Sequence, residues 1–305
     1  MRLLSSRLPA DDPVMADEAA GPDIELPPAD RDYIASLVRQ GDQDRYWAGL
    51  LMPKPQRDHL FALYAFNIEL ARIGEQVREP QLGEIRLQWW RDILASPPGV
   101  RTGNPVADAL TAARTACDLP EQLLAGMVDA RSLDLHHEPV ATMEALEAYL
   151  DTTAGALFRL GAWIAGARDE NAARASLEAA IAYGLTGLMR ALPYHVARGN
   201  LYLPADFFGA FGVDTASVRT GEESDGLNTA LRVLRERAQQ HLERFRERAD
   251  LLPAATLPVF LPLTLVPAYL HRLGDPRHRP LAAVAELNPL SRYGRIWLAN
   301  LRGRI

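Results

Sequence analysis

Apolar residues recur three and four positions apart through nearly the whole chain, and alternation of apolar and polar residues is scarce. Spacings of three and four place apolar side chains on one face of an α-helix, whereas alternation is what a half-buried strand requires. The pattern therefore predicts an all-α protein. The predicted helices run roughly over 30–40, 43–52, 56–77, 80–96, 104–116, 119–136, 142–166, 169–196, 204–211, 227–250, 254–272 and 288–301.

The predicted helices follow one another without an obvious domain boundary. At 305 residues the chain has room for two average domains or one large core. No stretch between 30 and 300 has the composition of a flexible linker, and no repeat of fixed period is visible. We predict one helical domain over 30–303. Residues 10–30 are rich in proline, alanine and acids, which predicts a disordered arm over 1–29 and leaves Met1 and Met15 as candidate start sites.

Composition excludes several classes of function. The net charge of −6 argues against nucleic-acid binding. The single cysteine, Cys117, excludes an internal disulfide and a zinc site built from cysteines. The remaining candidate ligands are scattered, so no metal-binding residues and no cofactor are predicted. This cysteine usage suits a reducing compartment, and we expect a cytoplasmic protein.

The stretch "LLPAATLPVFLPLTLVPAYL" (251–270) raises the question of a membrane span, because its 20 residues carry no charge. It contains Pro253, Pro258, Pro262 and Pro267, and each interior proline removes a backbone hydrogen bond and clashes with the preceding turn. We therefore predict a buried core segment made of short helical pieces. A surface that faces a membrane stays open as the alternative.

Two segments carry polar residues on helices. In "FALYAFNIELARIGEQV" (61–77), helical spacing puts one set of residues on one face of the helix and a second set on another face. The first set is Asn67, Ala71 and Glu75, and the second is Glu69, Arg72 and Gln76. Considered alone, this is a core helix with a polar flank.

The second segment is "GLMRALPYHVARGNLYLP" (187–204), where Arg190 and Tyr194 lie four residues apart, as do Ala191 and His195. Pro193 is expected to kink or end the helix. Its residues alone describe a cationic helix end, which the helix dipole favours. Just upstream, Ala180, Gly184 and Gly187 are expected to let neighbouring helices approach closely.

Both segments resemble signatures of the squalene/phytoene synthase family. "YAFNIELARIGEQV" resembles the first signature, in which Tyr-Ala-Phe leads into an aspartate-rich motif, and "LMRALPYHVARGNLYLP" resembles the second. "LEAYLDTTAGALFRLGAWIAG" and "RYWAGLLMPKPQRDHLFALYAF" resemble two further helices of the family, in the same order. The resemblance implies a single-domain, isoprenoid synthase-like helical bundle with a central cavity.

The departures from the family pattern concern magnesium. In the family, two aspartate motifs face each other and hold magnesium ions that neutralise prenyl diphosphates. Here those motifs have Ala71 and Glu75 in the first and Ala191 and His195 in the second, so one carboxylate remains. The resemblance thus implies no catalytic residue and no metal. The cavity residues that it implies form a net cationic set suited to an anionic lipid or a prenyl diphosphate: Tyr64, Asn67, Glu69, Arg72, Arg190, Tyr194, His195, Arg198 and Tyr202.

This pattern of replacements resembles the branch of the family that contains mitochondrial complex I assembly factor 6 and its bacterial relatives. That likeness implies a non-catalytic role in assembly of respiratory complex I (NADH:ubiquinone oxidoreductase), with complex I subunits or assembly intermediates as partners and a peripheral contact with the inner membrane. Two alternatives stay open. One is an active prenyltransferase that condenses prenyl diphosphates with magnesium, and the other is a lipid-binding module unrelated to complex I.

Overall fold

The computed structural model describes residues 26–77, 79–97, 99–136, 140–199 and 201–305, and no strand occurs among them. The predicted all-α class is confirmed. Of the predicted arm, residues 1–25 lie outside the described ranges, and the first helix begins at Pro28. The helices are α1 Pro28–Gly41, α2 Gln43–Gly49, α3 Gln56–Gln76, α4 Pro80–Ala95, α5 Pro105–Cys117, α6 Glu121–Ala130, α7 Met143–Leu150, α8 Ala156–Ile164, α9 Glu170–Arg190, α10 Leu192–Ala197, α11 Ala205–Ala210, α12 Thr215–Arg219, α13 Asp225–Ala249, α14 Leu257–Phe260, α15 Val266–Leu273 and α16 Pro289–Arg302.

Helix α3 runs through the core. Its residues 60–66 are all buried, which is the pattern of a helix covered on every side. It packs against α1, α5 and α8, and the rings of Phe66 and Trp90 meet edge to face with centroids 4.9 Å apart. On the other side of the bundle the long helix α13 packs along α9. The C-terminal end of α3 is therefore held rigidly where its polar residues begin.

Three of the predicted helices are interrupted. The prediction over 119–136 becomes α6 followed by a 3₁₀ turn, Arg131–Leu135. The prediction over 142–166 becomes α7 and α8, separated by one π-helical turn, Asp151–Gly155. Because these turns have a different pitch from an α-helix, they change the direction in which the neighbouring side chains point.

The third interruption separates α9 from α10, and Pro193 causes it. Proline has no N–H, so the helical hydrogen bond that its nitrogen would otherwise donate cannot form. Helix α9 ends at Arg190, the Ala191 N–H donates to the Gly187 carbonyl at 2.9 Å, and α10 begins with Pro193 in its first turn. The helix break predicted at Pro193 is confirmed.

The uncharged stretch forms four short helical pieces: Ala254–Thr256, α14, Leu261–Leu265 and α15. Pro258, Pro262 and Pro267 each fall at the start of a new piece, where a missing N–H costs nothing. In the described ranges, Ala254–Leu273 is the single helical stretch long and apolar enough to suit a membrane span, and most of it is buried inside the bundle. The prediction of a segmented core is confirmed.

Close packing against α9 depends on Gly184. A Cβ built there would lie 2.5 Å from Leu150 Cδ2, so the side chain of α7 occupies the space that any larger residue would need. At Gly187 an added Cβ would meet nothing within 4 Å. The expected close approach is confirmed at Gly184 and wrong at Gly187.

These two glycines give a matched pair of substitutions on one helix. Gly184→Ala should lower the free energy of unfolding by about 1 kcal/mol, because the overpacking cost exceeds the gain in helix propensity. Gly187→Ala should raise it by about 0.5–1 kcal/mol, since only the propensity gain applies there. Urea unfolding of both variants measures the two changes, and equal signs would contradict the packing.

Candidate functional site

A cavity of about 180 Å³ lies where the C-terminal end of α3 meets the 3₁₀ turn Arg131–Leu135, α7 and α10. Three of the four aspartate-motif positions line it, namely Ala71, Glu75 and His195, whereas Ala191 does not. The full lining is Ala71, Gly74, Glu75, Arg131, Asp134, Tyr149, Leu188, Tyr194, His195, Arg198 and Tyr202.

The carboxylate of Asp134 is the centre of a buried hydrogen-bond network. Asp134 is 6% exposed, and its Oδ2 accepts a hydrogen bond from Arg131 Nη1 at 3.0 Å. The two residues sit three apart on the 3₁₀ turn, where side chains at this spacing eclipse and so meet. Its Oδ1 accepts from the hydroxyls of Tyr149 at 2.8 Å and Tyr202 at 2.9 Å.

Arg131 links this network to α3. Its Nη2 donates to Asn67 Oδ1 at 3.2 Å, and its Nη1 also donates to the Tyr149 hydroxyl at 3.0 Å. Gly74 makes room for the approach, because a Cβ there would lie 3.1 Å from Asp134 Cβ. Charged donors and acceptors strengthen each of these bonds. The turn is thereby fixed to the central helix.

Burial keeps both tyrosines of the network neutral. It is the largest cause that raises the pKa of Tyr149 and Tyr202 above the ordinary value, and the nearby negative charge of Asp134 acts in the same direction. Both phenols therefore remain hydrogen-bond donors to Asp134 at any physiological pH.

His195 faces the same network as a neutral ring. Burial lowers the pKa of His195 to about 4, and this outweighs the opposing effect of Asp134, while Arg198 lowers the pKa further. Its ring meets the ring of Tyr202 edge to face, with centroids 4.9 Å apart. At neutral pH the side chain of His195 therefore lines the cavity as a polar but uncharged group.

The mouth of the cavity holds a second group of contacts. Burial, together with the nearby negative charge of Glu75, raises the pKa of Tyr194. The guanidinium of Arg198 lies 3.7 Å from the centre of the Tyr194 ring, a cation–π contact. Glu75 thus lies beside the helix that follows the break at Pro193.

The predicted cavity residues fall into three places. Tyr194, His195, Arg198 and Tyr202 line the cavity, and Asn67 reaches it through Arg131. Glu69 and Arg72 line a groove beside α4 together with Trp89 and Gln76, because they belong to the other polar face of α3. They do not join the cavity.

Tyr64 and Arg190 lie deeper in the bundle. The ring of Tyr64 contacts the buried guanidinium of Arg45, which also lies over Phe158 and Tyr183 and pairs with Asp42 at 2.6 Å.

Arg190 lies 3.5 Å from the centre of the Tyr269 ring and donates to the Ala285 carbonyl at 3.2 Å. Its position is therefore also outside the cavity. In both clusters a guanidinium group packs against aromatic rings.

The charge of the cavity differs from the expectation. Its lining holds two carboxylates, Glu75 and Asp134, and two guanidinium groups, Arg131 and Arg198, while His195 is neutral. The formal sum is zero, so the predicted net cationic set is wrong. The reason is that Arg72 and Arg190 face other parts of the molecule.

The residues present do not fit magnesium. Magnesium needs several oxygen ligands, usually carboxylates. Asp134 is engaged by Arg131 and two tyrosines, which leaves Glu75 as the one other carboxylate of the lining. Over the described ranges, no group of three or more His, Cys, Asp or Glu side chains is arranged to hold a metal ion.

Sequence reasoning missed Arg131, Asp134 and Tyr149. A signal existed for Tyr149, which lies in the "LEAYLD" run that carries part of the family resemblance. Arg131 and Asp134 lie in "RSLDL", a run without a recognisable motif. Their pairing depends on the 3₁₀ turn, which periodicity did not reveal.

An all-α bundle with a polar cavity at the end of its central helix is the architecture of isoprenoid synthases. The chain superposes on a crystal structure of a dehydrosqualene synthase with a TM-score of 0.74, at 18% identity, over 90% of this chain and 96% of that one. The family model for squalene/phytoene synthase matches residues 38–290. The chain belongs to the squalene/phytoene synthase family.

Two relatives indicate different branches of this family. The chain is 30% identical to NADH dehydrogenase (ubiquinone) complex I, assembly factor 6 from Bos taurus, over 92% of this chain and 85% of the relative. It is 28% identical to presqualene diphosphate synthase from Rhodopseudomonas palustris, over 64% of this chain and 70% of the relative. The likeness to the assembly factor spans much more of the chain.

The network around Asp134 predicts a large cost for neutralising it. Asp134→Asn leaves the guanidinium of Arg131 buried without a counter-charge, which should cost about 3–5 kcal/mol of unfolding free energy. Tyr202→Phe removes one hydrogen bond and should cost about 1–2 kcal/mol. Glu170→Gln breaks the exposed pair with Arg174 on α9 and serves as the control, with a change below about 0.5 kcal/mol. Guanidinium unfolding compares the three, and a control as costly as Asp134→Asn would contradict the assignment.

The depressed pKa of His195 predicts a pH dependence of stability. Between about pH 6.5 and about pH 4 the unfolded state binds a proton at this residue and the folded state does not, so stability falls as pH falls through that window. His195→Gln should have a flatter stability curve over the same window than the unsubstituted protein. Urea unfolding at several pH values measures this difference. Parallel curves for the two proteins would show that His195 titrates normally.

Proposed function

We propose that this chain is a non-catalytic member of the squalene/phytoene synthase family that assists assembly of respiratory complex I. The observation that carries the proposal is that the Asp134 carboxylate is already engaged by Arg131 and two tyrosine hydroxyls, which leaves Glu75 as the one other carboxylate of the cavity lining. Binding of a metal would require breaking those contacts, and a buried Arg131 would lose its counter-charge. The residues of the cavity therefore have a structural role, because they connect the helices around it.

The size of the interior supports the same proposal. The cavity of about 180 Å³ is smaller than the roughly 300–1,000 Å³ of sites that enclose drug-sized ligands. Elsewhere in the core, Arg45 is packed among Tyr64, Phe158 and Tyr183. The small cavity and the lack of a cluster of metal ligands in the described ranges both support a non-catalytic role.

The partners in this proposal are complex I subunits or assembly intermediates. The support is the 30% identity with a protein named as a complex I assembly factor, which extends over 92% of this chain. We further propose a cytoplasmic location at the periphery of the inner membrane, with an anionic lipid as the ligand. Because the formal charges of the cavity lining sum to zero, we expect that lipid to bind at the molecular surface instead.

Deletion of the gene followed by complementation tests the proposal. In a deletion strain we expect complex I to fall markedly on native gels and in NADH oxidation by membranes. Both the unsubstituted gene and Glu75→Gln should restore it, because the role requires no carboxylate chemistry. Glu69→Gln, on the other polar face of α3, is the matched control.

Normal complex I in the deletion strain would contradict the assembly role. Failure of Glu75→Gln alone, at normal protein level, would indicate that this carboxylate does chemistry.

The alternative is an active prenyltransferase, and the 28% identity to a presqualene diphosphate synthase is the observation in its favour. Purified protein incubated with farnesyl or geranylgeranyl diphosphate and magnesium decides between the two. We expect no condensation product by chromatography. Product at ordinary turnover that is lost in Glu75→Gln would establish the alternative.

A further inference from the structure

Helix α16 has one exposed apolar face. Leu290, Tyr293, Trp297 and Leu301 are spaced by three, four and four residues, so they form one stripe along the helix. Their exposed fractions are 81%, 46%, 47% and 61%, whereas Ile296 and Ala299 of the same helix are buried. Leu298 widens the stripe at 41% exposure. A contiguous stripe of large apolar side chains, unlike scattered ones, marks a surface that is covered in use.

The charge of this end of the chain is opposite to that of the whole. From Pro289 to Ile305 there are four arginines and no acid, in a protein of net charge −6. Arg292 forms an ion pair with Asp44, in which Nη2 lies 2.7 Å from Oδ1. Arg295 and Arg302 remain on α16, beside the apolar stripe, and Arg304 follows the end of the helix.

These three arginines meet Arg246 of α13 around a depression of about 220 Å³, which we call the arginine pocket. Thr264, Leu298, Ala299 and Ile305 complete its lining. No acid among the described residues forms an ion pair with any of the four guanidinium groups, and the carboxyl end at Ile305 forms none either. Four like charges around one depression repel one another unless an anion lies between them.

The arginine pocket also contains donors that lack partners. Arg246 Nε and Thr264 Oγ1 are buried, and neither has a hydrogen-bond partner in the described part of the chain. Buried polar atoms without a partner are costly and rare. An oxyanion in the pocket would receive hydrogen bonds from such donors and from the guanidinium groups, which suit phosphate geometry.

The stripe and the pocket are adjacent, because Leu298 borders both. A free phosphate ion would satisfy the arginines and leave the apolar stripe in water. An anionic membrane presents phosphates and an apolar layer side by side, which matches both halves of the surface. Trp and Tyr on an apolar face flanked by arginine is the composition of helices that lie in the membrane interface.

We propose that α16 docks this protein on anionic phospholipid membranes. Leu290, Tyr293, Trp297 and Leu301 enter the boundary between head groups and acyl chains. The lipid phosphates bind in the arginine pocket. This proposal names the residues that would make the peripheral membrane contact of the proposed function. It rests on the proposed function for its biological setting only. The sequence raised a different candidate for a membrane-facing surface, the uncharged stretch 251–270. That stretch is mostly buried, so the surface proposed here is a separate one.

Vesicle sedimentation of the full chain tests the proposal. We expect binding to vesicles of phosphatidylcholine with phosphatidylglycerol, a blue shift of tryptophan fluorescence, and little binding to phosphatidylcholine alone. Arg302→Gln with Arg304→Gln should weaken binding about 20-fold. Trp297→Ser with Leu301→Ser should weaken it at least about tenfold and reduce the blue shift.

Matched control variants lie on other surfaces. Ile85→Ser with Trp89→Ser removes exposed apolar groups from α4, and Arg272→Gln with Arg277→Gln removes two exposed cations. Both should bind vesicles normally. Thermal unfolding checks that all four double variants are folded.

Three results would overturn the proposal. They are equal affinity for both vesicle types, equal losses in the control variants, and stabilisation by inorganic phosphate without any vesicle binding. The last would identify a free-phosphate site instead of a membrane surface. The vesicle assay contains no complex I, so it can succeed while the assembly role fails, and the deletion strain can show the reverse.

Discussion

The buried ion pair between Arg131 and Asp134 holds the cavity end of the molecule together. It joins a 3₁₀ turn to α3 through Asn67, to α7 through Tyr149, and to the loop after α10 through Tyr202. A buried pair repays its desolvation only when further hydrogen bonds satisfy the remaining donors and acceptors. Here Asn67, Tyr149 and Tyr202 supply such bonds, and Arg131 Nε is the one atom of the pair left buried without a partner in the described ranges. The same bonds occupy the Asp134 carboxylate with one guanidinium group and two hydroxyl groups.

The distribution of charge follows from this arrangement. Inside, each guanidinium of the cavity and its surroundings has a partner: Arg131 has Asp134, Arg198 has the Tyr194 ring, and Arg45 has Asp42. Outside, the four arginines of the arginine pocket have no carboxylate partner in the described ranges. We therefore expect an anion to bind at the surface, where an oxyanion would stabilise guanidinium groups that otherwise repel one another. The chain has the fold of the squalene/phytoene synthase family.

Much of the fold could be predicted because its signals are local. Proline chemistry predicted the break before Pro193 and the segmented stretch Ala254–Leu273. Helical spacing separated Glu75 from Arg72 onto two faces of α3, and the structure places them in different depressions. The prediction of one net cationic cavity was wrong because it merged those faces. Arg131 and Asp134 were missed because their partners Asn67 and Tyr202 lie 64 and 68 residues away along the chain.

The sequence by itself determined that this protein is a helical bundle, where its helices break, and which side chains share a helix face. Those properties depend on backbone hydrogen bonds and sterics within a few residues. Only the tertiary structure decided which faces meet. It joined Arg131, Asp134, Tyr149 and Tyr202 into one network, and it placed Arg246 of α13 beside Arg302 of α16. Contacts between distant residues depend on how the whole core packs, since a side chain is buried or exposed according to its neighbours from every other helix.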